Sequence, residues 1–208
     1  MTREKPHIYR WLAIALTVVL ASCAPLQSAY DVIRQKPALV FQTRGSDILT
    51  PDGAPFIARG INLQYGDNPK AALPAIKAIS STGANIIRLQ LRRDTSAKDL
   101  KKALDKAVAL KLPVMVFYWE QDITCASNSA RLRKDTGDLW LPRWADVLNA
   151  RKYQPYLMLN IANEWGTSKD NYAGYMATYK DLIRAMRSRG FRAPVSDVDF
   201  VGDNGGDG

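Results

Sequence analysis

Four short apolar segments, each followed by a helical pattern, constrain the fold of this chain more than any other feature. Residues 59–63, 86–91, 113–118 and 156–161 show little polar alternation, so each reads as a strand covered on both faces. Leu73, Ile76 and Ile79 mark one face of a helix ending near Gly83. Ser96-Ala97-Lys98-Asp99 is a capping box that opens a helix with Leu100, Leu104, Ala107 and Val108 inward. A long connection leads to a helix around residues 142–149 that packs through Trp140, Trp144, Val147 and Leu148. The most regular helix carries Tyr172, Tyr175, Met176, Tyr179, Leu182, Ile183 and Met186 and stops at Gly190; its aromatic stripe reads as core packing. A fifth strand is expected over residues 195–200. Strands alternating with helices give a parallel α/β sheet. Periodicity leaves both a doubly wound sheet and a (β/α)8 barrel open. No glycine-rich phosphate loop follows a strand, which weakens a nucleotide-binding version.

The start of the chain carries a different signal. Arg3, Lys5 and Arg10 flank an apolar run, residues 11–20, of export-signal length. The run is shorter than the ~20 residues that span a bilayer. Leu20-Ala21-Ser22-Cys23 resembles a bacterial lipobox, so Cys23 is the expected lipidation site, and Ala24 favours the outer membrane. The alternative is an ordinary signal peptide whose cleavage site lies beside a cysteine. The expected organisation is a signal peptide over 1–22, a tether over 23–45 and a folded domain over 46–208. That domain opens with a hairpin pairing residues 47–49 with 55–58 across Pro51-Asp52-Gly53. The protein is thus expected to be exported and lipid-anchored in the cell envelope.

Several chemistries drop out on composition. The single histidine is His7, inside the leader, so neither a Ser-His-Asp triad nor a histidine zinc site is expected. No metal-ligand cluster is present, and no metal or cofactor is expected. With Cys23 acylated, Cys125 has no disulfide partner. The net charge is +9, but the basic runs at Arg92-Arg93, Lys101-Lys102, 131–134 and 184–192 are dispersed. They read as solvated faces rather than as a nucleic-acid surface.

Parallel-sheet enzymes place reactive groups beyond the C-terminal ends of strands. Asn62 follows the first strand, Arg88 lies on the second, Glu120, Gln121 and Asp122 follow the third, and Asn163 and Glu164 end the fourth. A carboxylate closing an apolar strand is costly unless it has a task. Glu164 beside the Asn163 amide reads as a proton donor in a cleft. It reads equally as the first-turn acid of the next helix.

The stretches Asp52-Gly53-Ala54-Pro55-Phe56, Arg59-Gly60-Ile61-Asn62, Gly83-Ala84-Asn85-Ile86-Ile87-Arg88-Leu89 and Leu159-Asn160-Ile161-Ala162-Asn163-Glu164-Trp165 resemble glycoside hydrolase family 5. That is the cellulase and mannanase family, and Asn-Glu-Trp-Gly points to its mannanase-like branch. The resemblance implies an incomplete (β/α)8 TIM barrel, about the first five strands, preceded by the hairpin. It also implies cofactor-free, retaining hydrolysis of O-glycosyl bonds in β-linked polysaccharide. By resemblance Glu164 is the acid/base, Asn163 hydrogen-bonds the sugar 2-hydroxyl, and Arg88 orients the nucleophile. Asn62, Trp119, Gln121, Asp122 and Trp165 are expected to bind substrate. Gln121 stands where the branch has a histidine, so it can hydrogen-bond but cannot titrate.

The family's nucleophile is a glutamate ending the seventh strand, and the chain reaches about the fifth. The expectation is a truncated or degenerate glycoside hydrolase without a nucleophile and with little or no turnover. Asp197, Asp199 and Asp203 lie on the wrong strand to replace it. Two rival readings are a non-catalytic glycan-binding surface lipoprotein and a half-barrel that forms a homodimer through its open edges. In a barrel cut after its fifth strand, Ile61 and Leu159 are expected to point inward and to lose their far wall.

Overall fold

The computed structural model describes residues 39–166 and 172–196. The leader, Cys23 and most of the tether lie outside these residues, as do Asp197, Asp199 and Asp203. Strands β3 (Gly60–Leu63), β4 (Ile86–Leu91), β5 (Val114–Tyr118), β6 (Leu157–Asn160) and β7 (Val195–Ser196) form one parallel sheet in sequential order. Among the described residues the sheet is open, with β3 and β7 at its edges.

The register divides the sheet into two unlike faces. Leu63, Leu89, Val116 and Leu159 form one cross-strand row, and Ile61, Ile87, Val114 and Leu157 form another. Both rows face the helices, and all but Ile61 and Leu63 are fully buried there. Ile61 and Leu159 therefore do not point into the half-barrel: strand period turns them to the other side. Leu159 sits in the helix-packed core, whereas Ile61, on the edge strand, is 43% exposed.

The opposite face carries the rows Asn62–Arg88–Met115–Met158 and Gln90–Phe117–Asn160–Ser196. Its lower end is apolar. Phe41, Ile86, Met115 and Met158 cluster there with Ile48 and Phe56, so the N-terminal hairpin plugs the bottom of this face. The hairpin pairs β2 (Asp47–Leu49) with β1 (Gln42–Arg44), residues read from sequence as the end of the tether. The expected second arm at 55–58 contributes a single bridge, Leu49 to Pro55. Proline has no N–H with which to extend a ladder.

Helices α1 (Pro69–Ala72), α2 (Ala75–Ser80) and α3 (Ala97–Ala109) cover β3 to β5. Ser96 caps α3 as its sequence implies. Ser96 Oγ accepts from the Asp99 N–H at 3.0 Å and donates to the Asp99 carboxylate at 2.7 Å. The next helical stretch begins earlier than expected. Asn128 caps α4 (Ser129–Asp135), which continues as a π-helical segment, Thr136–Trp144, into α5 (Ala145–Leu148). Pro142 lies inside the π segment, where the widened turn accommodates a residue that breaks an ordinary α-helix. Helix α6 (Tyr172–Ser188) buries Tyr175, Tyr179, Leu182 and Met186, as its stripe predicts. Gly190, at φ +98°, ends it in the left-handed conformation that glycine tolerates.

Candidate active site

Beyond the C-terminal end of β6 the backbone carbonyls of four consecutive residues are each held by a different donor. Trp140 Nε1 donates to the Ile161 carbonyl at 3.2 Å, and the Tyr179 hydroxyl to Ala162 at 3.4 Å. Thr124 Oγ1 donates to Asn163 at 3.3 Å, and the Cys125 N–H to Glu164 at 2.7 Å. The Asn163 and Gly166 N–H groups donate in turn to Tyr118 and Ala126, both at 2.8 Å. The loops after β5 and β6 are thus laced together.

This lacing holds an unusual backbone. Glu164 has φ +47° and Cys125 φ +53°, a conformation costing a non-glycine residue roughly 1–2 kcal/mol. Such strain persists where surrounding contacts over-determine it. A left-handed Glu164 is also not in the first turn of a helix, which removes the bland reading of that residue. Asn163 is buried and Glu164 half-buried.

Glu164 and Asn163 open into a cleft of about 280 Å³ on the polar upper part of the inner sheet face. That volume is near the lower end of small-molecule sites. Arg88 Nη2 donates to Asn163 Oδ1 at 2.9 Å, which leaves the asparagine's NH₂ available as a donor. The Arg88 guanidinium also lies 4.2 Å from the Phe117 ring centre. Trp119 lines the cleft with the Arg92 guanidinium 4.6 Å from its ring centre.

Behind Trp119 runs an ionic network. Arg92 Nε and Nη2 grip the two oxygens of buried Glu120 at 3.2 Å each, while Nη1 reaches Asp67 at 2.8 Å. The Arg93 N–H donates to Glu120 at 2.7 Å, and its Nη2 bridges Asp122 at 2.8 Å and Asp135 at 3.0 Å. Buried Asp135 also accepts from the Tyr118 hydroxyl and from Arg131. Burial, and then Asp135, push the Tyr118 hydroxyl well above its ordinary range. Arg93 holds the Asp122 carboxyl below the usual carboxylate range. Arg92, Arg93 and Arg131 are therefore tied to carboxylates, and the solvated-face reading of those runs does not apply to them.

Of the residues expected in the site, Asn62, Arg88, Trp119, Asn163 and Glu164 line the cleft together. Asp122 is instead committed to Arg93 and Arg131, and Gln121 is exposed on the turn beside it. Trp165 is withdrawn into the core, stacked on Tyr175 with ring centres 5.7 Å apart. The α6 aromatic stripe takes it. Sequence reading missed Gln64, Asp67, Gln90, Arg92 and Phe117, which complete the cleft. Strand period would have found Gln90, two residues beyond Arg88 on the same face. Its Oε1 is buried without a partner among the described residues, a state that costs ~1–3 kcal/mol.

No family model matches the chain. Two curated relatives do. A mannan endo-1,4-β-mannosidase of Salipaludibacillus agaradhaerens is 28% identical over 155 residues, covering 72% of this chain and 48% of the relative. One of Cellvibrio japonicus is 26% identical over 157 residues, covering 73% and 35%. The chain spans about half the length of these relatives or less. Among solved structures, the catalytic domain of a mannanase from Streptomyces sp. SirexAA-E superimposes with a TM-score of 0.65 at 23% identity, over 78% of this chain and 52% of that one. A β-mannanase from Streptomyces thermolilacinus, solved with mannohexaose, gives 0.63 at 22% identity over 75% and 52%. The resemblance to the cellulase and mannanase family holds. The fold is that of an incomplete (β/α)8 barrel, and the mannanase-like segment accounts for about three quarters of the chain.

Proposed function

We propose that this chain carries the acid/base half of a retaining β-glycanase site and binds β-1,4-linked manno- or gluco-oligosaccharide there. The observation that carries the reading is the pinned Asn163–Glu164 turn, which faces Arg88 and Trp119 across one cleft. Glu164 supplies a proton to a leaving glycosidic oxygen, and Asn163 meets the adjacent hydroxyl. A retaining mechanism needs a second carboxylate ~5–5.5 Å from the first. Among the described residues the cleft's other carboxylate is Asp67, which is engaged by Arg92. The segment therefore binds glycan and hydrolyses it poorly on its own. Titration calorimetry with mannohexaose and cellohexaose, beside a reducing-sugar assay on mannan, tests both statements. Binding with near-background hydrolysis is the expected result. Absence of binding refutes the reading, and robust turnover refutes its second half.

Two further proposals rest on other features. Leu20-Ala21-Ser22-Cys23 behind a basic, apolar leader supports lipidation at Cys23 and anchoring in the cell envelope, probed by labelling. The outer edge of β3, with Ile61 and the 67% exposed Ile57 nearby, supports pairing of two copies along that edge.

A further inference from the structure

We infer that Gln90 is a glycan-contacting residue of this cleft, its side-chain carbonyl accepting a hydrogen bond from a sugar hydroxyl; the inference rests on the glycan-binding reading above. Gln90 shares the inner sheet face with Arg88 and stands in the register row of Phe117 and Asn160, one row nearer the cleft mouth. The residue is only 4% exposed, yet it lines the same cavity as Asn163 and Glu164. Its Oε1 is buried with no partner among the described residues.

An amide carbonyl offers two acceptor positions, and buried acceptors in folded proteins are almost always used. Two of the donors nearest in sequence and register are engaged elsewhere. Arg92 is taken up by Glu120 and Asp67, and the Gly66 N–H by the Gln90 backbone carbonyl at 3.1 Å. A glycan hydroxyl has the matching chemistry, because it donates readily and has the reach to meet a fixed carbonyl. An aliphatic side chain would fill the position without leaving an acceptor unpaired, and the place of this acceptor in the cleft lining favours a ligand hydroxyl as its partner.

A ligand role and a structural role predict opposite signs for one substitution. Gln90→Met removes the acceptor at nearly constant volume. If the carbonyl serves the glycan, mannohexaose affinity falls about fivefold, the size of one neutral hydrogen bond, while the melting temperature stays level or rises. If it serves the fold or an ordered water, the melting temperature falls and the affinity stays within twofold, and the inference is overturned. Gln90→Leu repeats the measurement with a different shape. Failure of both variants to fold would make Gln90 a structural residue and would also overturn the inference. Trp119→Ala separates this outcome from failure of the parent reading. Loss of affinity in Trp119→Ala but not in Gln90→Met removes only the role of Gln90. A folded wild type that binds neither hexasaccharide removes both.

Discussion

The thiol of Cys125 lies 3.9 Å from the carboxylate of Glu164, and the two residues share a left-handed backbone joined by a 2.7 Å hydrogen bond. The loop after one strand thus carries strain that the loop after the next strand stabilises. A β-branched residue at Cys125 adds crowding to an already unfavourable φ, whereas glycine removes the Cβ conflict. Cys125→Val is expected to lose about 1–2 kcal/mol, and Cys125→Gly to stay within about 1 kcal/mol of wild type, in urea unfolding. Equal losses in the two variants would show that the strain is not felt.

Arg92 links the cleft wall to the ionic network, with Trp119 on one side and Glu120 on the other. Arg92→Met leaves the buried Glu120 carboxylate with the Arg93 contacts alone. A loss of about 2 kcal/mol is expected, the size of a charge-assisted hydrogen bond to a mostly buried group. Arg92→Met/Glu120→Gln should lose less than the single variant, because the stranded charge is gone. A double-mutant cycle by chemical denaturation measures the difference, and strict additivity would contradict the pairing.

The acid limb of stability should follow the depressed carboxylates. Asp122 is held low by Arg93, and Asp105 by Lys101, Lys152 and Tyr153. Groups whose folded pKa is depressed contribute stability above their unfolded pKa, about 3.9, and that contribution fades as pH falls through the folded value. Melting temperature should therefore be flat near neutrality and decline below about pH 4. Asp122→Asn should lower the neutral plateau by under about 1 kcal/mol, since Asp122 is half exposed, and should shallow the acid decline. An unchanged acid limb in an Asp105→Asn/Asp122→Asn variant would contradict the assignment.

Metabolic labelling with a fatty-acid analogue should tag the full-length protein, and Cys23→Ser should abolish the label. A Ser variant that labels as strongly as wild type would make Cys23 incidental.

Light scattering of the lipid-free protein at micromolar concentration should report a dimer or higher species, because β3 is an edge strand among the described residues and carries the exposed Ile61, with exposed Ile57 just before it. Ile61→Lys should shift the population toward monomer. A wild type that is monodisperse and monomeric at every concentration would rule out edge pairing.

The sequence was legible where one periodicity dominated. Ile86 to Leu91 reads as a strand because it is mostly apolar, and Arg88 within it and Glu164 beyond the end of β6 stand out as charged groups in apolar surroundings. Legibility failed where two demands met in one residue. Pro142 masked a helical stretch that begins at Ser129, because a π turn admits what an α turn rejects. Trp165 follows Glu164 in sequence but serves the aromatic core of α6. Asp122 sits on the loop after β5, yet its charge is claimed by two arginines that are distant in sequence from one another. Gln90 went unnoticed because an amide in a buried strand looks like noise until its register with Phe117 and Asn160 is known.

The four held carbonyls from Ile161 to Glu164 bear on what an Asn-Glu pair means in a sequence. Their donors come from the loop after β5, the π-helical segment and α6, three stretches that share no local motif. The dipeptide can be copied into another protein, but its geometry cannot travel with it. A graft would have to bring Trp140, Tyr179, Thr124 and a left-handed Cys125 before the carboxyl pointed the same way. The two letters are portable, and the geometry of the pair belongs to the whole sheet and the segments around it.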